Sequence, residues 1–140
     1  MPNTAEYNIY VDLIVTTIIA GQNSYIMARN ADSNNYLYVG YLASSASWAL
    51  GARISTDQGI QGSSPVTLTA GQTYALKLEV RTDRKTLYVG GVKVLEVLTS
   101  DKPISDTPAA KGKAGLRVSG QVSTATTGMR FDNFRVEDLV

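Results

Sequence analysis

The sequence predicts an all-β fold, a sandwich or barrel of short antiparallel strands with little helix. Three observations predict it. Val, Ile and Thr supply 35 of the 140 residues and Tyr a further eight, and these side chains fit a pleated, half-buried surface. Apolar and polar residues alternate over short runs, and Leu and Ala recur nowhere for long at helical spacing. Clusters of Gly, Asn, Asp and Ser punctuate the runs at the ~8–12-residue spacing of sandwiches and barrels.

The elements follow in order. Tyr7, Ile9, Val11, Leu13 and Val15 alternate with a period of two, which makes a strand with one buried face. Ile14 and Ile18 lie on its other face. After the Gly21-Gln22-Asn23 turn, Tyr25 to Arg29 reads as a second strand. The polar Asn30–Asn35 turn precedes a third, Tyr36 to Leu42. Trp48 to Ile54 is a fourth, weakened in the middle by Gly51. Ser55 to Ser64 reads as loop with a short strand near Ile60. Tyr74, Leu76, Leu78 and Val80 alternate with Ala75, Lys77, Glu79 and Arg81, a strand wet on one side. Leu87-Tyr88-Val89 and Val92-Lys93-Val94 flank Gly90-Gly91. That pair signals a two-residue hairpin, because primed turns need positive φ. Residues 99–113 read as an irregular crossing between sheets, Gly115 to Val118 as a strand, Ser119 to Thr127 as a loop, and Met129 to Leu139 as the last strand. About ten strands in one domain spanning residues 1–140 result.

Composition excludes several kinds of chemistry. The sequence has no Cys and no His, so disulfides, thiolate or imidazole metal sites, a Cys nucleophile and a Ser-His-Asp triad are all absent. A net charge of +1 provides no basic field for nucleic acid or an anionic membrane. The run from Val11 to Ala20 contains Asp12, Thr16 and Thr17 and is half the ~20 apolar residues of a spanning helix. No signal peptide is read at the start. The expectation is a chain made in the cytoplasm.

Four segments carry a resemblance. Met27 to Tyr36 (MARNADSNNY) resembles the "R-x-x-D-x-x-N-Y-Y" turn of concanavalin A-like (LamG-like) jelly rolls. Gly71 to Val80 (GQTYALKLEV) resembles their "G-x-x-Y-x-L-x-L-x-V" strand. Leu87 to Val92 (LYVGGV) is similar to their "L-x-V-x-V-D-G" hairpin. Gly112 to Leu116 (GKAGL) with Phe131 to Val136 (FDNFRV) resembles their closing "G-x-x-G-L … F-D-N-F-x-V". Together they span most of residues 6–138. The resemblance implies an antiparallel two-sheet jelly-roll sandwich. It also implies a sugar-binding module, an interaction module, or a part of a phage or other virion appendage. The chain departs from the pattern at Gly90, where Asp is usual. It also begins almost at the family's second element, so the family's first strand is missing here. On that basis Tyr7–Val15 is expected at a sheet edge, completed by a neighbouring chain or by Met1–Ala5 folding back.

The candidate sites are these. Sugars present CH-rich faces that stack on aromatic rings and hydroxyls that bond planar polar groups. Tyr36, Tyr38, Trp48, Arg29, Arg53 and Asn35 are near one another on adjoining strands and turns and form the candidate carbohydrate site. The competing reading of Tyr and Trp in a sandwich is core-edge packing. Asp32, in an oxygen-rich turn, and Asp132, in the closing motif, are candidate calcium ligands; the competing reading of Asp32 is an Asx turn. No other cofactor is expected. The twelve carboxylates are scattered rather than massed on one strand as in jelly-roll hydrolases. The expected function is a non-catalytic structural or binding module of a virion (phage decoration or fibre type) or another extracellular surface assembly, homo-oligomeric and with glycan binding. The alternatives are a secreted carbohydrate-binding module of a larger enzyme, and a glycoside hydrolase or lyase.

Overall fold

A computed structural model describes residues 6–99 and 112–139. Ten strands run in chain order: β1 Tyr7–Val15, β2 Asn23–Asp32, β3 Asn35–Leu42, β4 Ser47–Ile54, β5 Thr56–Pro65, β6 Thr73–Val80, β7 Arg84–Val89, β8 Val92–Leu98, β9 Lys113–Ser119 and β10 Met129–Asp138. Among the described residues the helical content is one 3₁₀ turn, Ala43–Ser45. Two five-stranded antiparallel sheets form, in the orders β10-β1-β6-β7-β8 and β5-β4-β3-β2-β9. This is an all-β, two-sheet sandwich. The expected irregular crossing leaves β8 in the first sheet and reaches β9 in the second; its residues 100–111 lie outside the described residues, as do Met1–Ala5.

Alternation decides which face each strand buries. The odd residues of β1, from Tyr7 to Val15, are at most 2% exposed. They meet Leu76, Leu78 and Val80 of β6 and Leu87 of β7 within the first sheet. Across the sandwich they meet Ile26, Leu37, Val39, Leu50 and Ala52 of the second. Burying so many branched and aromatic side chains in one layer is the main favourable term in the fold. A polar tie crosses the core. The Arg29 backbone N–H donates to the Tyr7 hydroxyl at 2.9 Å. Arg29 is in the left-handed region, φ 46°, where the ladders of β2 skip. Its N–H therefore finds a side chain in place of a strand.

Two expectations are corrected. β1 is not at an edge: it pairs with β10 from Tyr7↔Asp138 to Val15↔Met129 and with β6 from Tyr7↔Val80 to Ile14↔Thr73. The C-terminal strand supplies the partner, so the unpaired row that called for a neighbouring chain does not exist. The stretch read as loop after Ser55 is the ten-residue strand β5. It is a sheet edge with little apolar content, and bulges interrupt its pairing with β4. The Gly90-Gly91 hairpin forms as read, with φ of 58° and 81°.

The outer face of the first sheet neutralises itself. Register aligns Arg135, Tyr10, Lys77, Tyr88 and Lys93 across all five strands. The Arg135 guanidinium lies 3.8 Å from the Tyr10 ring centre, and Lys77 Nζ lies 5.9 and 5.1 Å from the Tyr10 and Tyr88 ring centres. The adjoining row brings carboxylates alongside: Lys77 is 3.7 Å from Glu79, Lys93 3.9 Å from Glu96, and Arg135 3.6 Å from Glu137. Each contact is worth little alone, but together they leave these cations occupied.

Because β1 is laddered on both sides, its amides are expected to exchange slowly in a monomeric sample. Hydrogen exchange on a fraction whose monomer mass is confirmed by light scattering checks this. Fast exchange over residues 7–15 would contradict the pairing.

Candidate functional site

The outer face of the second sheet differs from that of the first. Where Ser24, Ile26 and Ala28 of β2 point inward, Asn23, Tyr25 and Met27 point out; on β3, Tyr36 and Tyr38 point out against Leu37, Val39 and Tyr41. Register places Met27, Tyr38, Gly51 and Ile60 in one row across β2 to β5, and Tyr36, Arg53 and Asp57 in the next. Arg117 of β9 stands opposite Tyr25. Small residues make the floor. Tyr38 is paired with Gly51, and a Cβ at position 51 would collide with the Tyr38 ring. The glycine therefore lets the ring lie against the β4 backbone. The result is an open groove of about 380 Å³ whose lining includes Tyr25, Tyr36, Tyr38, Arg53, Asp57 and Arg117. It continues past Met27, Tyr36 and Arg117 into a second hollow of about 410 Å³ bordered by Asn30, Asp32, Ser33 and Lys113.

The tyrosines form a row. Tyr25 and Tyr38 meet edge to face with ring centres 5.2 Å apart, and Tyr36 and Tyr38 at 6.2 Å. The Tyr38 hydroxyl donates to Asp57 Oδ1 at 3.3 Å, and the Gly59 N–H donates to the same oxygen at 2.9 Å. Burial, helped by the Asp57 charge, pushes the Tyr38 phenol up to about 12, and burial raises Tyr25 against the opposing charge of Arg117. Both rings are neutral hydrogen-bonding groups at physiological pH. Arg53 donates through Nη2 to Asn34 Oδ1 at 3.4 Å, while its buried Nε has no partner.

The structure gathers three of the six expected carbohydrate-site residues here: Tyr36, Tyr38 and Arg53. The other three lie elsewhere. Trp48 is 2% exposed and packs edge to face against Tyr41 and Tyr74 in the core; it shares its inward face with Leu50 and Ala52. Arg29 is fully buried beneath the β2 bulge. Asn35 braces the turn before β3: its Nδ2 donates to Asp32 Oδ1 and Oδ2 at 3.0 and 3.1 Å, and its Oδ1 accepts the Ser55 N–H at 3.2 Å. The sequence reading missed Tyr25, Met27, Asp57 and Arg117. The parity of β2 was the available signal for the first two.

The expected calcium ligands do not come together. Asp32 belongs to the second sheet, where its Oδ1 accepts the Asn34 N–H at 2.7 Å in an Asx turn. Asp132 belongs to the first sheet and accepts the Asn133 N–H at 2.8 Å. Among the described residues no three His, Cys, Asp or Glu side chains gather around one point.

No family model matches the sequence, and no curated protein does. Solved structures do. Carbohydrate-binding module CBM66 from Bacillus subtilis superposes with a TM-score of 0.72 at 16% identity, over 94% of this chain and 74% of that one. The fold is the concanavalin A-like jelly roll. Caenorhabditis elegans galectin LEC-6 is similar to this jelly roll with a TM-score of 0.64 at 12% identity, over 96% and 84% of the two chains. The GH43 protein BlXynB from Bacillus licheniformis is similar with a TM-score of 0.67 at 20% identity, over 95% of this chain but 27% of that one. At these identities the likeness is one of fold.

Core and groove respond differently to truncation. Trp48→Ala is expected to cost about 3–5 kcal/mol in denaturant unfolding, and Tyr36→Ala about 1 kcal/mol or less. Tyr38 also gives the jelly roll a pH signature. Its folded pKa lies above the 10.0 of a free tyrosine, so the stability it contributes is complete below pH 10 and is lost as pH rises toward 12. Ultraviolet titration should show several late-ionising phenols, Tyr7, Tyr25, Tyr38 and Tyr88, and one fewer in Tyr38→Phe.

Proposed function

We propose that this jelly roll is a non-catalytic glycan-binding module, and that the groove over β9-β2-β3-β4-β5 is its site. One observation carries the reading: a row of three tyrosines in an open groove, flanked by Arg53, Asp57 and Arg117. Ring faces and edges suit the CH-rich faces of sugars, and the guanidinium, carboxylate and phenol groups suit their hydroxyls. Ligand grooves of a few hundred Å³, mostly apolar with a few convergent polar groups, fit this description. The likeness of fold to a carbohydrate-binding module and to galectins supports it.

The non-catalytic part rests on the carboxylates. Glycoside hydrolysis uses two, facing each other across the scissile bond. Asp57 lines the first hollow and is engaged by Tyr38 and Gly59. Asp32 borders the second and is engaged by Asn34 and Asn35. For the setting we propose a virion or another extracellular surface, on the strength of a Thr-, Ser-, Gly- and Asn-rich composition without Cys. With β1 laddered on both sides, it offers no bare edge to a second copy of the chain.

Binding to an immobilised glycan panel, followed by calorimetry on the best ligand, tests the reading. Tyr36→Ala is expected to weaken binding about tenfold or more, equivalent to ~1.4 kcal/mol, with a melting temperature within a few degrees of the parent's. A ligand bound equally well by Tyr36→Ala and Arg53→Ala would move the site off this face.

A further inference from the structure

The two outer faces treat their cations in opposite ways. On the first sheet Lys77, Lys93 and Arg135 each hold a carboxylate at 3.6–3.9 Å, Arg81 is paired with Glu79 as well, and Arg130 donates to the Ala125 carbonyl. In the groove of the second sheet, among the described residues, Arg53, Lys113 and Arg117 hold none. Arg53 is held only by the Asn34 amide oxygen, with its Nε buried and unpartnered. Lys113 and Arg117 begin and nearly end β9, and both border the second hollow. The carboxylates nearby do not answer them: Asp32 accepts from Asn34 and Asn35, and Asp57 from Tyr38 and Gly59. The first face pairs four of its cations with carboxylates, whereas among the described residues the groove on the other holds three cations outside ion pairs against the two carboxylates Asp32 and Asp57.

We propose that the groove selects anionic glycans, seating neutral sugar rings on the Tyr25–Tyr38–Tyr36 row and a carboxylate or sulfate in the second hollow between Lys113 and Arg117. This deepens the glycan reading and rests on it. Arg presents a planar fork that binds a carboxylate or sulfate through two parallel hydrogen bonds, and Lys adds a point charge. Among the described residues neither gives up an ion pair to do so. The two hollows share Met27, Tyr36 and Arg117 as a common border, so one oligosaccharide reaches both.

The test uses two matched pairs of probes: oligogalacturonate with its methyl ester, and dextran sulfate with dextran of the same length. The charged member of at least one pair is expected to bind about tenfold tighter or more at low salt. The gap should close near 1 M salt, where the screening length falls to ~3 Å. The pair that shows the gap identifies the anion as carboxylate or sulfate. The double variant Lys113→Ala, Arg117→Ala should erase the gap, and Lys113→Glu, Arg117→Glu should invert it, with melting temperatures near that of the parent. Neutral and charged members bound equally, or a gap that survives in the alanine double variant, would overturn charge selection and leave the glycan reading standing. A parent protein that retains none of the four probes would overturn both.

Discussion

Everything in this sandwich is hung on the register of β1. Its five inward side chains are enclosed completely or nearly so, and both of its edges are laddered. Sliding the strand by one residue would turn Asn8, Tyr10, Asp12 and Ile14 into the core and expose the rest. It would also break the bond from the Arg29 N–H to the Tyr7 hydroxyl, which fixes one sheet against the other. β10 and β6 are each fixed against this strand, one from near the end of the sequence and the other from its middle. The outer face of the first sheet inherits its order from there, since Tyr10 is the ring on which both Arg135 and Lys77 rest.

The groove is a consequence of the same alternation, with one substitution of size for shape. A β-sheet presents a gently ridged surface, and a hollow needs some side chains to be missing. Gly51, opposite Tyr38, supplies that gap, and the ring fills part of it while standing proud of the floor. β5, polar and bulged, then brings Asp57 to the Tyr38 hydroxyl. Polar anchoring and aromatic surface thus come from β5 and β3, one strand apart in the same sheet, and need no loop to close over them.

The period-two pattern made nearly all of the strands legible, and positive φ made the Gly90-Gly91 hairpin legible. β5 was not, because an edge strand with a polar sequence lacks the apolar signal that burial imposes on its neighbours. The place of β1 was not either: its partner lies more than a hundred residues away, and no local pattern names it. The same limit applies to the site. Tyr36 and Tyr38 share a strand, and Arg53 is on the next one, so local reading found them. Arg117 and Asp57 reach the groove only through sheet order. Trp48 was misplaced by nearness in sequence, although Leu50 and Ala52 mark its face as the inward one.

The β7–β8 hairpin offers something of practical use. Gly90 and Gly91 have open space where side chains would stand, and Val92 beside them is 65% exposed. The turn belongs to the sheet that does not carry the groove. A biotinylated loop or a fluorophore attachment point built into this tip would therefore hold the domain by its idle side. On a sensor chip or a bead, every copy would then present the tyrosine row outward.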